Sequence, residues 1–283
     1  MKLIECPRDA MQGLHEFVPT EVKAKYINLL LKVGFDTIDF GSFVSPKAIP
    51  QLGDTKEVLS LLDLTYTKTK LLAIVANLRG AEEAIQHEAI TYLGFPFSIS
   101  ETFQQRNTNS SITQSLATVE EMLNLCNKHQ KTAVVYLSMG FGNPYGDEWN
   151  AEIVEKWAEI LVDKGVKILS IADTTGVSTP EKITAILPPL IKKFTNTEIG
   201  IHLHSTPFSR IEKIKAAYDA GCKRFDSALK GYGGCPMAAD DLTGNLATED
   251  LIHFLQQKGE ALNLDLDKWQ EAISFSAKVF EYA

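Results

Sequence analysis

The chain has 283 residues, 45% hydrophobic and 23% charged, with a formal net charge of −8 and a pI near 5.3. A chain of this size buries a sizeable core unaided, and its acidic balance excludes the basic face that a nucleic-acid surface needs. Cys6, Cys126, Cys222 and Cys235 are too few and too scattered for a disulfide framework, and no apolar run approaches the roughly 20 residues of a membrane span, so reduced thiols and a cytoplasmic location away from any membrane are expected.

Short β-branched or aromatic runs alternate along the chain with segments of helical spacing. The first run, Leu3–Cys6, starts at once, so no targeting segment is read ahead of it. Val22, Tyr26, Leu29, Leu30 and Val33 then recur at three- and four-residue spacing, and Gly34 stops that helix. The runs Thr37–Phe40, Lys70–Val75, Ile90–Phe95 and Ala133–Ser138 follow in order. Ile153, Trp157, Ile160 and Leu161 mark a fifth helix ending at Gly165. Ile168–Ala172, Ile199–His204 and Arg224–Ser227 complete the strands, with Gly221 after the seventh helix. Eight such repeats, with no linker or low-complexity segment between them, predict an α/β fold with an all-parallel sheet closed into a (β/α)₈ TIM barrel. The expected organisation is one catalytic domain, 1–283, with extra C-terminal helices extending it from about residue 246. An open doubly wound sheet is disfavoured, because no GxGxxG turn follows the first strand.

In such a barrel function sits at the C-terminal ends of the strands. Arg8-Asp9, Asp39, Asp173, and His202 with His204 all fall there, and a glycine-rich loop with Cys235 follows the eighth strand. His202 and His204 are two apart, so both imidazoles face one way. Strands seven, eight and one are neighbours in a closed ring, which brings Asp9 to the same sector, and Asn245 can add an amide oxygen. Two nitrogens, a carboxylate and an amide oxygen suit Mg²⁺ or Mn²⁺, whereas Zn²⁺ usually prefers a tetrahedral site. The ordinary reading of His-Leu-His alone is a pair of histidines at a strand edge.

Gly231-Tyr232-Gly233-Gly234-Cys235-Pro236 is the second constellation. Its glycines let the backbone approach a ligand closely, and its thiol can act as nucleophile or general acid. Without further context it reads equally well as a glycine turn with an incidental cysteine. In Pro7-Arg8-Asp9 with Gln12, the guanidinium can stabilise oxygen charge beside a cation, although an Arg-Asp pair by itself is most often a surface ion pair. Asp39 and Asp173 read either as catalytic or as structural acids.

Taken in order, residues 7–12 (PRDAMQ), 42–47 (SFVSPK), 173–177 (DTTGV), 202–204 (HLH), 233–236 (GGCP) and 244–251 (GNLATEDL) closely resemble the 3-hydroxy-3-methylglutaryl-CoA lyase family, metal-dependent lyase and Claisen-condensing barrels, over nearly the whole chain. The resemblance implies a divalent cation held by Asp9, His202, His204 and Asn245, with Arg8 at the thioester side of the substrate and Cys235 in proton transfer. It implies cleavage of 3-hydroxy-3-methylglutaryl-CoA, or a close 3-hydroxyacyl-CoA, to acetyl-CoA and acetoacetate. Arg8, Gln12, Ser170 and Asp173 are the candidate substrate contacts, and His202 or Asp39 the candidates for removing the hydroxyl proton. An acyl-CoA thioester is the expected partner, with a homodimer as the option for assembly. The chain departs from the family in several places. The glycines of the first-strand motif are replaced in Cys6-Pro7-Arg8-Asp9-Ala10, and Glu5 stands three rather than four places before the arginine. Asp39 stands where glutamate is typical, Ser205 follows the histidine pair where aspartate is common, and the stretch from Cys235 to Asn245 is one residue longer than usual. These changes bear on the acyl pocket more than on the metal set. A condensing enzyme joining acetyl-CoA to a 2-oxo acid and a catalytically silent metal-binding barrel are the competing readings.

Overall fold

The computed structural model describes residues 1–234 and 243–282. Strand β1 (Lys2–Glu5) turns directly into a short helix, α1 (Pro7–Met11), whose first position is a proline already set at a helical φ. Helix α2 (Thr20–Val33) leads to β2 (Thr37–Ser42), and α3 (Thr55–Ser60) to β3 (Lys70–Ile74). Next come α4 (Leu78–Ala84), β4 (Ile90–Ser98), α5 (Glu101–Thr108) and α6 (Ile112–Lys128). Then follow β5 (Thr132–Ser138), α7 (Ala151–Asp163), β6 (Ile168–Asp173), α8 (Pro180–Lys193), β7 (Glu198–Leu203), α9 (Arg210–Asp219) and β8 (Arg224–Ser227). Side-chain caps set several helix starts: Asn77, Ser100, Asn150 and Thr179 each accept a first-turn N–H, and Ser111 forms a capping box with Gln114.

The eight strands close in sequence order, β1 pairing in parallel with both β2 and β8. The barrel expectation is thus borne out, with β2 and β4 reaching further toward the mouth than their apolar runs suggested. The chain also continues past the ring into an added C-terminal helix, as expected. Residues 246–247 still belong to the ring, Ala247 bridging Ala228 and the Ala228 N–H bonding the Leu246 carbonyl at 2.9 Å. Helix α10 (Thr248–Gln257) packs against α9 as the barrel's eighth helix. Among the described residues the added helix is α11 (Leu266–Val279) alone, which lies along α2 with Trp269 edge-on to Phe35 at 5.6 Å.

Most of the apolar core fills the layer between strands and helices, while Leu72, Tyr92, Val134, Tyr136 and Ile168 pack as a separate group within the barrel. Below them Arg224 crosses the lumen over Gly200, where a Cβ would stand 2.8 Å from the arginine Cδ, so a side chain there would force the buried arginine to move. Arg224 reaches Glu198 at 3.2 Å, and Glu198 also pairs with Lys2. The N-terminal end of the barrel is therefore plugged by charge, which leaves the opposite end for a ligand. Among the described residues no helix is long and apolar enough to cross a membrane.

Candidate active site

A cavity of about 140 Å³ opens at the C-terminal ends of the strands. Arg8, Asp9, Gln12, His202 and His204 form its polar wall, and Val44, Ile49, Ile74, Pro96 and Phe103 face them. Helix α1 carries Arg8 and Asp9, and Gln12, its C-cap, lies beside them. Arg8 Nη1 donates to Asp9 Oδ1 and to Gln12 Oε1, both at 2.8 Å, and Gln12 Nε2 donates to Asp9 Oδ1 at 2.8 Å. On its other edge Arg8 grips Asp39, through Nη2 to Oδ2 at 2.5 Å and Nε to Oδ2 at 3.0 Å. Both oxygens of Asp39 are engaged by Arg8, the second at 3.2 Å, and the residue does not line the cavity. It orients the guanidinium. Burial pushes its carboxyl up to about 6 against the pull of that same arginine.

Asp9, His202 and His204 offer ligand atoms within 4.8 Å of one another, all three side chains buried. Asn245 closes the set: its Nδ2 donates to Asp9 Oδ2 at 2.6 Å and to the Tyr232 carbonyl at 2.8 Å, and residue 245 bridges His204 through the backbone. The loop after β8 comes this near because Gly233 adopts a φ of +95°, and a Cβ there would stand 2.6 Å from the Asp9 carbonyl. The donor set fits a divalent cation electrostatically. Burial works against ionisation of Asp9, but Arg8, the two imidazoles and Asn245 hold its carboxyl down to about 2. Burial, reinforced by the neighbouring His202, pulls His204 down to about 4, so near neutral pH its ring keeps a free lone pair. For His202 burial acts downward too, yet its hydrogen bond to Asp226 and the charges of Asp9 and Asp226 outweigh it and the net shift is upward.

Two expected substrate contacts are placed elsewhere. Ser170 is fully buried on β6 beneath the cavity, the register partner of Tyr136 and Gly200. Asp173 faces the helix layer, accepting from Ser178 N at 3.0 Å and Oγ at 2.5 Å and from Lys213 Nζ at 3.0 Å. Lys213 also donates to the His204 carbonyl at 2.8 Å, so Asp173 braces the histidine strand from behind and stays out of the cavity. Cys235, expected in proton transfer, lies outside the described residues. Cys6, Cys126 and Cys222 are free and buried. Conversely, Tyr136 lines the cavity with its ring edge-on to His202 at 5.7 Å, and Asp226 sits against His202, although the sequence reading named neither. Strand periodicity carried the signal for both. Tyr136 and Ser138 alternate inward at the end of β5, and Asp226 shares the inward face of β8 with Arg224.

A parallel barrel whose mouth gathers a carboxylate and two imidazoles within 4.8 Å of one another, beside an arginine, carries a candidate divalent-cation cluster. Residues 3–275 match the HMGL-like family, and the chain belongs to that family. It is 34% identical to hydroxymethylglutaryl-CoA lyase YngG of Bacillus subtilis over 93% of this chain and 87% of that protein. To the cytoplasmic 3-hydroxy-3-methylglutaryl-CoA lyase of Rattus norvegicus it is 32% identical, over 98% of this chain and 80% of the relative. Among solved structures, an HMG-CoA lyase from Acinetobacter baumannii in complex with coenzyme A and 3-methylmalate superposes with a TM-score of 0.91 at 31% identity, covering 98% of this chain and 90% of that one.

Proposed function

We propose that this enzyme, a carbon–carbon lyase, cleaves 3-hydroxy-3-methylglutaryl-CoA to acetyl-CoA and acetoacetate, with Mg²⁺ or Mn²⁺ held by Asp9, His202, His204 and Asn245. The observation that carries the reading is the convergence of Asp9, His202 and His204 beside Arg8 at the barrel mouth. When bound, a divalent cation supplies Lewis-acid chemistry, lowering the pKa of the substrate's tertiary hydroxyl. The Asp9 carboxylate, which lines the cavity, takes that proton, while Asp39 keeps both oxygens on Arg8 and stays out of the cavity. The carbon–carbon bond then breaks: the former carbinol carbon becomes the ketone of acetoacetate, and the electron pair passes to the acetyl-CoA enolate. Arg8, held planar by Asp39 and steered by Gln12, stabilises the developing charge on the thioester oxygen. Cys235 delivers the proton that quenches the enolate.

The apolar wall of Val44, Ile49 and Phe103 excludes water from the carbanion side. The relatives described above are lyases, which does not favour a condensing enzyme, and the same reading includes a cytoplasmic homodimer. The decisive assay incubates the protein with Mg²⁺ and a panel of acyl-CoA thioesters and follows released acetyl-CoA and acetoacetate. Release from 3-hydroxy-3-methylglutaryl-CoA is expected; release only from other thioesters, or from none, would refute the assignment.

A further inference from the structure

His202 has an acidic side chain beside each ring nitrogen. Its Nε2 lies 3.9 Å from Asp9 Oδ2, on the side where the ligand atoms gather. Its Nδ1 stands 3.2 Å from Asp226 Oδ2, a side chain fully buried in the barrel. The two residues are register partners on β7 and β8, so the pairing is set by the sheet and needs no mobile loop. A carboxylate in this place accepts the Nδ1–H, and a neutral imidazole has only one ring proton. Its other nitrogen must then present a lone pair. The ring is fenced further by the edge of Tyr136 and by the His204 ring at 5.3 Å. We propose that Asp226 is the positioning residue of the cation site, fixing the tautomer and orientation of His202 so that Nε2 faces the cation. The proposal rests on the cation site described above.

Cys6 gives the geometry a competing use. Its thiol, with His202 and Asp226, forms a second buried trio whose ligand atoms also lie within 4.8 Å of one another. Asp226 Oδ1 has no hydrogen-bond partner among the described residues, which leaves it free to act as a ligand in that trio. Two considerations favour the positioning role. Asp226 already engages the imidazole, and Cys6 Sγ is directed to the Ile4 carbonyl at 3.7 Å.

The test titrates chelator-treated full-length protein with Mn²⁺ by calorimetry. Loss of a partner that orients a metal-binding histidine typically weakens affinity about 10–100-fold. Asp226→Ala should fall in that range, and Asp226→Asn, which keeps an acceptor oxygen, should recover part of the loss. The melting temperature of each cation-free variant checks that the barrel stands. In a His202→Ala background Asp226→Ala should cost nothing further, because it acts only through that ring; a merely structural role would cost the same in both backgrounds. Wild-type Mn²⁺ affinity in Asp226→Ala, or full additivity with His202→Ala, would overturn the proposal alone. Failure of the wild-type protein to bind Mn²⁺ at all would overturn it together with the cation site. Co²⁺ separates the trio: one equivalent, with no thiolate-to-metal absorption band dependent on Cys6, supports positioning. A second equivalent whose band vanishes in Cys6→Ser and in Asp226→Ala but survives in Cys235→Ser makes Asp226 a ligand and sinks the idea.

Discussion

Arg8 is the residue on which the site's electrostatics turn, because its guanidinium touches Asp9, Gln12 and Asp39 at once. Arg8→Ala should lower kcat about 10²–10³-fold, as removal of an oxyanion stabiliser does, and Arg8→Lys should restore only part of that since ammonium lacks the planar fork. Steady-state kinetics on the thioester decide it: a change confined to KM would refute a transition-state role. The thiols give a second residue-level expectation. Burial raises Cys6, lifts Cys126 to about 11 and lifts Cys222 to about 12, so these three should resist iodoacetamide at neutral pH. Cys235 should alkylate first and be protected by a substrate analogue, as read by peptide mass spectrometry. Rapid labelling of Cys222 instead would contradict the burial argument. At this scale the sequence was most legible where residues stand next to one another in the chain. Arg8, Asp9, His202 and His204 could be read from spacing, whereas Asp226 acts across two strands, and the engagement of Asp39 and Asp173 depends on partners 31 and 40 residues away.

Among the elements, β1 and the segment after β8 are joined by a buried acid. Glu5 accepts from the Leu229 N–H at 2.8 Å and from the Thr248 hydroxyl at 2.5 Å, and Thr248 bonds Ser227 in turn. Burial, against these hydrogen bonds and with the nearby Glu249 charge adding to it, raises Glu5 to about 8. A carboxyl raised in the folded state stabilises fully below its unfolded value near 4.5, and that contribution drains away as pH climbs to about 8. Wild-type stability should therefore fall relative to Glu5→Gln across this window, by up to about 1.4 kcal/mol per pH unit. Parallel melting curves from pH 5 to 9 would show it, and identical pH profiles would disprove it. Helix α11 offers a plainer case: Trp269 is buried against Phe35, and Trp269→Ala should cost about 3–5 kcal/mol in denaturant titration. Most strands could be read from short β-branched or aromatic runs, because parallel strands buried on both faces are largely apolar, β8 with Arg224 and Asp226 being the exception. The division of the C-terminal helices could not, since α10 and α11 are equally amphipathic in sequence and differ only in what they pack against.

At the scale of the whole molecule, removal of the cation should abolish turnover, and Mg²⁺ or Mn²⁺ should restore it. Saturating cation should also raise the melting temperature, since a ligand at 100 times its Kd adds about 2.7 kcal/mol. Full activity after exhaustive chelation would exclude the proposed site. Asp9 belongs to the first turn after β1, while His202, His204 and Asn245 all come from the last third of the chain, and Asn245 reaches Asp9 across 236 residues. On the ribosome, then, the Arg8–Asp39 pair can form as soon as β2 is out, but the four groups meet only after β8 has zipped onto β1 and residue 245 has followed. A nascent or truncated chain therefore lacks the assembled quartet, and the closing of the ring is what completes the mouth.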